Sequence, residues 1–411
     1  MFKNFNFEYL GFLFLAAFPI YPYFLLSLSM ISFCVFTLID FFLRKKSINK
    51  KRIYIPIIFT FYIFLMVSSI LIEGFHMGYK PLRASMVIFV LPFLSFFFSR
   101  LSINSEQKRK IFLIFTLASF LLAILIIITS VIRSLDNEIA FYNIVRVSAQ
   151  NISFIDIHPV YVSMYFIVSI FYILSSFKRI KKLPNKILSI IVIAFFSLMI
   201  LLLVSRIAIF TCIILLFLMF IKNNKITLFK KILYSLITIS LIIFSLLIIK
   251  PLRAQFDEIS SKEEFVLPYK KFPTSPQIRI GIYTCSWSII ESNWIMGYGA
   301  LDFQKKLNKC YEKYNNYQKI NYNTHNYYLF LLGSGGIICL VLFLGSIFFQ
   351  IKSSIFNKNF LHLVFILIII TFSLSENILS RSYGATFFTF FTLLFLSVSK
   401  QDSDRHDEIR E

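Results

Sequence analysis

Long apolar runs separated by short polar connections fill the chain from about residue 8 to residue 399. A helix needs about 20 apolar residues to cross a bilayer, so most of these runs match one span each. Two runs, 9–43 and 187–221, are about twice that length and must be divided. A turn at residues 19–22 and the polar break Ser205-Arg206 divide them into hairpins. The pattern predicts an all-α, polytopic integral membrane protein with about twelve transmembrane helices, near residues 8–21, 25–43, 53–72, 82–98, 111–132, 158–177, 187–203, 206–221, 231–249, 327–350, 360–374 and 384–399.

The composition excludes a soluble globular domain. Hydrophobic residues make up 58% of the chain and charged residues only 15%, whereas soluble domains average roughly 25% charged residues. The net charge of +22 would suit a nucleic-acid-binding protein, but the cations occur in short clusters between apolar runs. Such clusters are typical of loops at the anionic cytoplasmic face of a membrane. We therefore expect membrane lipids, and no nucleic acid, as partners.

The Lys and Arg residues also predict the orientation of the spans. With the N-terminus inside, five short inner loops carry 21 Lys and Arg, whereas five short outer connections carry 5. This asymmetry places both termini in the cytoplasm. We expect one transmembrane domain over 1–400, with a long periplasmic loop at 250–325, and a polar cytoplasmic tail at 401–411. The inner loops are 44–52, 99–110, 178–186, 222–231 and 351–359, and the outer connections are 20–24, 73–81, 133–157, 204–206 and 375–383.

The long outer loop is the only sizeable soluble element predicted, so we expect the chemistry on the periplasmic face. Within it, Tyr283, Trp287, Ile290 and Trp294 recur at helical spacing and predict one helical face. Two Trp residues on that face would hold the helix at the membrane interface. Ser275 would cap this helix. The alternative is a loop helix that packs on the rim of the span bundle.

Five cysteines lie far apart, without the C-x-x-C or Cys/His spacing of a metal site. Cys285 and Cys310 share the outer loop, where an oxidising compartment permits a disulfide. Cys285 also fits the predicted interfacial helix as a small buried residue. The sequence leaves both alternatives open and favours free thiols.

An arginine stands at the polar break between two predicted spans. Arg206 follows Ser205, which would cap a helix over 206–221 and place the arginine at its outer end. An Arg in a membrane helix costs about 2.5–3.5 kcal/mol on insertion scales. It therefore marks either a functional site or a side chain that extends to the interface.

A histidine stands where the long loop re-enters the membrane. Asn323 or Thr324 would cap helix 327–350 and leave His325 near its N-terminus. The positive end of the helix dipole disfavours imidazolium, so we expect a neutral ring that accepts a proton near pH 7. The alternative is an interfacial histidine without a chemical role. His158, at another outer mouth, is a weaker candidate. The other histidines have no such placement: His76, His362 and His406.

Arg206, Arg279 and His325 are thus predicted on the same outer face, each near the start of a helix. Helix N-termini and arginines bind phosphate, and a neutral histidine can take a proton from a hydroxyl. Together these residues predict a pyrophosphate-binding site with a general base. The glycines at 333–336 lie inside an apolar span, where we expect them to allow close helix packing. Those at 297–299 indicate a turn.

Three sequence motifs follow one another between residues 187 and 350. Val-Ser-Arg at 204–206 opens a span after a tight outer hairpin. Arg279 precedes a Trp-containing helix and the segment 291–299, which begins with Glu and ends in Gly-Tyr-Gly. Thr-His-Asn-Tyr-Tyr-Leu at 324–329 leads to Gly-Gly-Ile. Their order and topology resemble the O-antigen ligase and O-antigen polymerase superfamily of bacterial membrane glycosyltransferases, although the family's proline before G-x-G is absent.

The resemblance implies a metal-independent glycosyltransferase without a cofactor. Its donor would be a glycan on undecaprenyl pyrophosphate at the periplasmic face of the bacterial inner membrane. The acceptor would be lipid A-core for a ligase of lipopolysaccharide biosynthesis, or a second lipid-linked repeat unit for a polymerase. Arg206 and Arg279 would bind and stabilise the pyrophosphate leaving group, and His325 would be the general base on the acceptor hydroxyl.

A secondary transporter or flippase is the main alternative, since this number of spans is common among transporters. Many transporters consist of two related halves with polar breaks near the bilayer midplane. The two halves of this chain show no internal repeat, and the candidate residues are predicted at the outer mouth. Both observations favour the glycosyltransferase.

Overall fold

The computed structural model describes residues 6–44, 54–74, 80–99, 103–136, 141–152, 155–222, 275–312 and 322–397. These residues form helices joined by turns, and no named strand occurs among them. An all-α fold is therefore confirmed for the described part of the chain. Its helices are α1 (Phe7–Ala16), α2 (Tyr23–Arg44), α3 (Tyr54–Glu73), α4 (Lys80–Ala84), α5 (Val87–Phe98), α6 (Ser105–Asp136), α7 (Phe141–Gln150), α8 (Pro159–Ser176), α9 (Leu183–Leu202), α10 (Arg206–Lys222), α11 (Ser275–Glu291), α12 (Ala300–Glu312), α13 (Tyr327–Phe356), α14 (Phe360–Ser373) and α15 (Ser382–Leu396).

Apolar helices coincide with most of the predicted spans. Six helical stretches are long and apolar enough to cross a membrane by length and composition, and five shorter apolar helices accompany them. The predicted span 231–249 lies outside the described residues, as does the tail 401–411. A membrane protein is therefore confirmed, whereas the number of spans and their orientation stay predictions. The six stretches are Tyr23–Leu43, Pro81–Phe98, Ser105–Leu135, Pro159–Ser176, Leu183–Leu202 and Tyr327–Phe356.

The hairpin between α9 and α10 turns within three residues, as predicted. Val204 adopts a positive φ of 51°, and α10 begins two residues later, at Arg206. The carbonyl of Ser205 accepts the Ile209 N–H at 3.1 Å, as an N-cap carbonyl does. Its hydroxyl, however, is buried and has no hydrogen-bond partner among the described residues. The predicted side-chain cap by Ser205 is therefore wrong, because the tight turn buries the hydroxyl instead.

Phenylalanine rings fill the centre of the bundle around α15. This helix is buried along nearly all of its length, because it is apolar on every side. Some of these rings pack edge to face, as Phe115 and Phe391 do at 5.0 Å between centroids, and others are tilted or stacked. Tyr383 at the start of α15 donates to the carbonyl of Tyr21 at 2.7 Å. The short connection between α14 and α15 is therefore held between two well-packed helices.

Helix α13 is broken at Gly336, whose φ of 67° and ψ of −170° are not helical. The loop 292–299, which connects α11 to α12, lies against this break in α13. Three backbone hydrogen bonds join them: Ile337 N–H to Trp294 O at 2.9 Å, Tyr298 N–H to Gly333 O at 2.9 Å, and Gly299 N–H to Ser334 O at 2.8 Å. The glycines thus allow a close approach, as predicted, but the partner is a loop and the span is interrupted.

Glycine is required on both sides of this contact. A side chain at Gly336 would collide with the backbone of Ile295, and one at Gly297 would collide with the backbone of Ser334. Gly297 and Gly299 both have positive φ, which confirms the predicted turn. The loop therefore fixes where α11 and α12 sit relative to the outer half of α13.

The N-terminus of α12 is held by the end of α3. The Glu73 carboxylate accepts the Leu301 N–H at 2.7 Å and the Asp302 N–H at 3.0 Å, and Ser69 accepts the Ala300 N–H at 3.0 Å. A carboxylate at a helix N-terminus satisfies unpaired N–H groups and complements the helix dipole. The loop 292–299 is thus attached to α13, and the start of α12 is attached to α3.

The predicted single face of Trp and aliphatic residues is wrong. Helix α11 ends at Glu291, so Trp294 lies in the following turn, where Gly297 N–H closes back on Asn293 O at 3.0 Å. On the helix itself Ile290 is 2% exposed, whereas Trp287 is 54% exposed. The buried side of α11 packs against α12, a helix that the sequence pattern did not predict.

A disulfide joins Cys285 of α11 to Cys310 of α12. This contradicts the free thiols that the sequence favoured, and the reason is α12 itself. Because this helix folds back along α11, it brings two cysteines 25 residues apart into contact. A cross-link that closes a loop of this length contributes about 3 kcal/mol in the chain-entropy account. The bond is compatible with the predicted periplasmic location.

Candidate functional site

A histidine and a glutamate meet at the adjoining ends of two neighbouring helices. His325 lies just before α13, and Glu376 follows the last turn of α14. Nδ1 of His325 and Oε2 of Glu376 are 3.0 Å apart, which is a hydrogen-bond distance. The His325 side chain is 27% exposed and that of Glu376 is 14% exposed. The pair is therefore sheltered but partly accessible to a ligand.

The backbone around His325 turns sharply before the helix begins. His325 has a positive φ of 44°, and its N–H donates to Oδ1 of Asn323 at 2.9 Å. The cap of α13 is Asn326, whose side chain accepts the Leu329 N–H at 3.1 Å. The prediction of Asn323 or Thr324 as the cap is therefore wrong, because the turn places His325 outside the first helical residues.

Asn377 clamps the two helix ends together. Its Oδ1 accepts from the Thr324 hydroxyl at 2.8 Å and from the Asn326 N–H at 3.0 Å. Thr324 is 1% exposed and Asn377 is 4% exposed, so these hydrogen bonds are shielded from water. The clamp holds the residues next to it, His325 and Glu376, in a fixed relative position.

Helix α11 adds an arginine and a tyrosine to the pair. Nη2 of Arg279 lies 3.5 Å from Oε1 of Glu376, the carboxylate oxygen that does not contact His325. The Tyr283 hydroxyl, one turn further along α11, donates to the carbonyl of His325 at 3.4 Å. Because 3.5 Å is long for a hydrogen bond, the contact is an ion pair that leaves guanidinium N–H groups available for another ligand.

The pKa of Glu376 is lowered from its ordinary value of 4.5. Burial alone would raise it, but the hydrogen bond from His325 and the charges of His325, His158 and Arg279 outweigh that effect. Glu376 is thus a carboxylate at neutral pH. Because a carboxylate can only accept a hydrogen bond, the neutral His325 ring carries its proton on Nδ1 and donates it to Glu376. The lone pair of the ring is then on Nε2.

Arg206 lies at the start of α10 with an exposed side chain. Helix α10 packs on α14, where the Thr211 and Thr371 hydroxyls are 2.7 Å apart. Arg206 precedes Thr211 by five residues, and Glu376 follows Thr371 by five. With the predicted antiparallel course of the two helices, Arg206 and Glu376 lie on the same side of that contact.

His158 lies before α8 and differs from His325 in two respects. Its Nδ1 accepts the Val160 N–H at 3.4 Å, so its ring proton belongs on Nε2. Burial lowers its pKa to about 4; Glu376 opposes this effect, while the positive charges of Arg381 and Arg146 add to it. His158 is therefore a neutral hydrogen-bond donor rather than a base.

Three charged residues near this centre were missed by the sequence argument. Glu376 is one, and Arg381 in the same outer connection is another. The third is Arg146 on α7; its pKa is lowered by burial and by the charge of Arg279, while Glu376 opposes this effect. The available signal in the sequence was an acidic residue beside Asn377 in a short polar connection between two apolar runs.

A family model described as O-antigen ligase matches residues 190–344. No curated protein matches the chain. The matched stretch contains Arg206, Arg279 and His325, whereas Glu376 lies beyond its end. The resemblance to the O-antigen ligase and polymerase superfamily is thereby confirmed. It supports a ligase-like or polymerase-like membrane glycosyltransferase that acts on lipid-linked glycans.

Proposed function

We propose that this protein transfers a glycan from undecaprenyl pyrophosphate to lipid A-core at the periplasmic face of the bacterial inner membrane. The observation that carries the proposal is the His325–Glu376 pair, 3.0 Å apart, with Arg279 3.5 Å from the same carboxylate. A base, its orienting acid and a cation thus converge at one outer mouth. The family match to residues 190–344 supplies the class of substrate.

In this proposal His325 removes the proton of the acceptor hydroxyl. As Nε2 takes that proton, the hydroxyl oxygen bonds to the anomeric carbon of the donor sugar. The bond from that carbon to the pyrophosphate oxygen breaks, and undecaprenyl pyrophosphate leaves with the electron pair. The carboxylate of Glu376 keeps the ring in the productive tautomer and stabilises the imidazolium that forms, as the acid of a serine-protease triad does. Such proton transfer contributes about 10²–10⁴-fold to a rate.

Arg206 and Arg279 would bind the pyrophosphate. Negative charge builds up on that group as the glycosidic bond breaks, so fixed cations stabilise the transition state more than the ground state. Arginine is suited to this task because its planar N–H groups bind two phosphate oxygens at once. The excess of Arg over acidic residues around Glu376 further favours an anionic donor.

A polymerase that joins lipid-linked repeat units uses the same chemistry with a different acceptor, and both remain within the proposal. The two are separated by the polymer that a deletion strain loses. Loss of all lipid-A-attached polymer indicates a ligase, whereas loss of chain length beyond one repeat unit indicates a polymerase. In the predicted topology the base–acid pair lies at one outer mouth and not near the bilayer midplane, where transporter sites are typical, and this position favours the transferase.

Transfer by purified protein in liposomes tests the proposal. The assay contains lipid-linked donor and lipid A-core or a second lipid-linked unit as the acceptor, and the product is detected by mass. We expect glycan on the acceptor and free undecaprenyl pyrophosphate in equal amounts. Movement of the donor across the bilayer without any new glycosidic bond would contradict the proposal and support a flippase.

A further inference from the structure

A cavity of about 740 Å³ opens at the connection between α14 and α15, which contains Glu376 and contributes Arg381 to the cavity wall. Its walls come from the ends of α6 and α7, from the segment before α8 and from the connection before α15. These segments belong to two of the predicted outer connections, so the cavity faces the periplasm in the predicted topology. Its volume lies in the range of about 300–1,000 Å³ that is typical of small-molecule sites. The residues that line it are Arg133, Gln150, Asn151, Ile152, Asp156, His158 and Arg381.

The lining has the chemistry of a saccharide site. Arg381 and Asp156 carry opposite charges, while Gln150 offers an amide donor and an acceptor. A site with both donors and an acidic acceptor suits a ligand that has many hydroxyl groups, since each hydroxyl donates once and accepts twice. A carboxylate among the walls is unfavourable for a simple anion such as phosphate. A lipid chain is also excluded, because it would leave these polar groups unpaired.

Two residues connect this cavity to the base–acid pair. His158 lines the cavity three residues before Tyr161, whose hydroxyl donates at 3.4 Å to the carbonyl of Ile378, two residues after Glu376. Gln150 lines it from α7, and Arg146, one helical turn earlier, interacts with the charges of Arg279 and Glu376. A sugar in the cavity would therefore lie beside the group that accepts a proton from a hydroxyl.

The shape of the cavity is maintained by contacts within its walls. Arg133 donates to the carbonyl of Asn151 at 3.0 Å, which joins the end of α6 to the end of α7. The amide of Asn151 donates to the Val147 carbonyl at 3.1 Å. These two residues thus hold the wall, whereas the side chains of Asp156 and Arg381 are exposed. The latter pair is therefore suited to contact a ligand.

We propose that this cavity binds the terminal sugar of the acceptor, with Asp156, Gln150 and Arg381 as its hydrogen-bonding residues and His158 as a donor at the inner end. The inference rests on the proposed function, since it assigns the acceptor of that same reaction. Donor and acceptor then occupy different sides of His325: the pyrophosphate lies by Arg206 and Arg279, and the acceptor sugar lies by Asp156 and Arg381.

The test compares Asp156→Ala, Arg381→Ala and Gln150→Ala with Arg83→Ala. Arg83 is a matched control, because it is an exposed arginine at a predicted outer helix end and does not line the cavity. Each of the four purified proteins is titrated with lipid A-core, with a lipid-linked repeat unit as acceptor and, separately, with the pyrophosphate-linked donor. Loss of one hydrogen bond to a charged group weakens binding by about ten- to a hundredfold.

We expect the Asp156 and Arg381 variants to raise the Kd and the KM of one of the two acceptors about tenfold or more. The Kd of the donor, and kcat at saturating acceptor, should stay within about twofold of the wild type. Unchanged acceptor binding in all three cavity variants would overturn the inference. Weaker binding of the donor with unchanged binding of the acceptor would also overturn it. Binding is measured without transfer, so wild-type protein that binds acceptor through this cavity but transfers nothing would refute only the proposed function.

Discussion

Nδ1 of His325 lies 3.0 Å from Oε2 of Glu376, although 51 residues separate the two in the sequence. The hydrogen bond joins the start of α13 to the outer end of α14, beside the clamp formed by Asn377. It fixes which ring nitrogen carries the proton of the neutral imidazole. The neutral His325 ring therefore has its lone pair on Nε2, whatever the acceptor is.

Replacing His325 should remove most transfer and leave donor binding nearly intact. His325→Gln keeps a hydrogen-bonding side chain but cannot take a proton, so transfer should fall about 10²–10⁴-fold. The two arginines hold the pyrophosphate without the ring, so the Kd of the donor should change little. The measurement is initial transfer rate in liposomes, with donor binding followed separately. A Gln variant that transfers at the wild-type rate would remove His325 from the mechanism, and lower thermal stability would make the residue structural.

Glu376→Gln should reduce kcat more than it raises the KM of either substrate. The amide retains the size of the carboxylate but lacks the charge that stabilises imidazolium, so the effect falls on the transition state. Glu312→Gln is a matched control, because Glu312 is an exposed glutamate at the end of α12. Equal kcat in the Glu376 variant and the control would show that the charge of Glu376 has no part in catalysis.

The same variant has a pH-dependent effect on stability. The pKa of Glu376 is lowered from 4.5 in the folded protein, so its ionised form stabilises the fold above that value. This stabilisation is lost as the pH falls through the lowered pKa. The difference in Tm between wild type and Glu376→Gln should thus be full at neutral pH and shrink below about 4.5. A difference that grows on acidification would contradict the assigned direction.

Arg206→Lys should not behave as a conservative change. Lysine keeps the charge but lacks the two parallel N–H groups that bind phosphate oxygens, so donor turnover should fall well below that of the wild type. Insertion into the membrane should be unaffected, because both side chains reach the interface. Arg83→Lys provides the comparison. Transfer at the wild-type rate by Arg206→Lys would indicate that the Arg206 side chain extends to the membrane interface and does not bind the pyrophosphate.

Thiol counting checks the disulfide. Denatured, non-reduced protein should show three free thiols, from Cys34, Cys212 and Cys339. Reduction should then release two more, from Cys285 and Cys310. Five reactive thiols before reduction would mean that the bond does not form in the cell.

Cysteine labelling in intact cells tests the predicted topology. A membrane-impermeant reagent should label a cysteine placed at position 315, in the long outer loop, and not one at position 48, in an inner loop. These positions lie in connections that the charge asymmetry assigns to opposite sides. The reverse pattern would overturn the arrangement of both termini and of the site.

The sequence predicted the membrane helices well because the bilayer imposes a length on every apolar run. The sequence also indicated Arg279 and His325 as candidate site residues, because each is a polar residue near the predicted start of a helix. It failed where contacts depend on distant residues. Glu376 belongs to no periodic pattern in the sequence, and its contact with His325 depends on the end of α14 lying beside the start of α13. Helix α7 was predicted as a connection, and α12 was not predicted, although α12 brings Cys310 to Cys285.

The loop 292–299 meets the break in α13 through main-chain atoms alone in its three hydrogen bonds. Carbonyl and N–H groups are the same in almost every residue. The contact therefore tolerates substitution of the three residues between Asn293 and Gly297. Trp294, Ile295 and Met296 are each about half exposed, at 52%, 50% and 51%. Evolution can therefore adapt this outward surface to a different lipid or glycan environment while the interlocking backbone underneath stays the same.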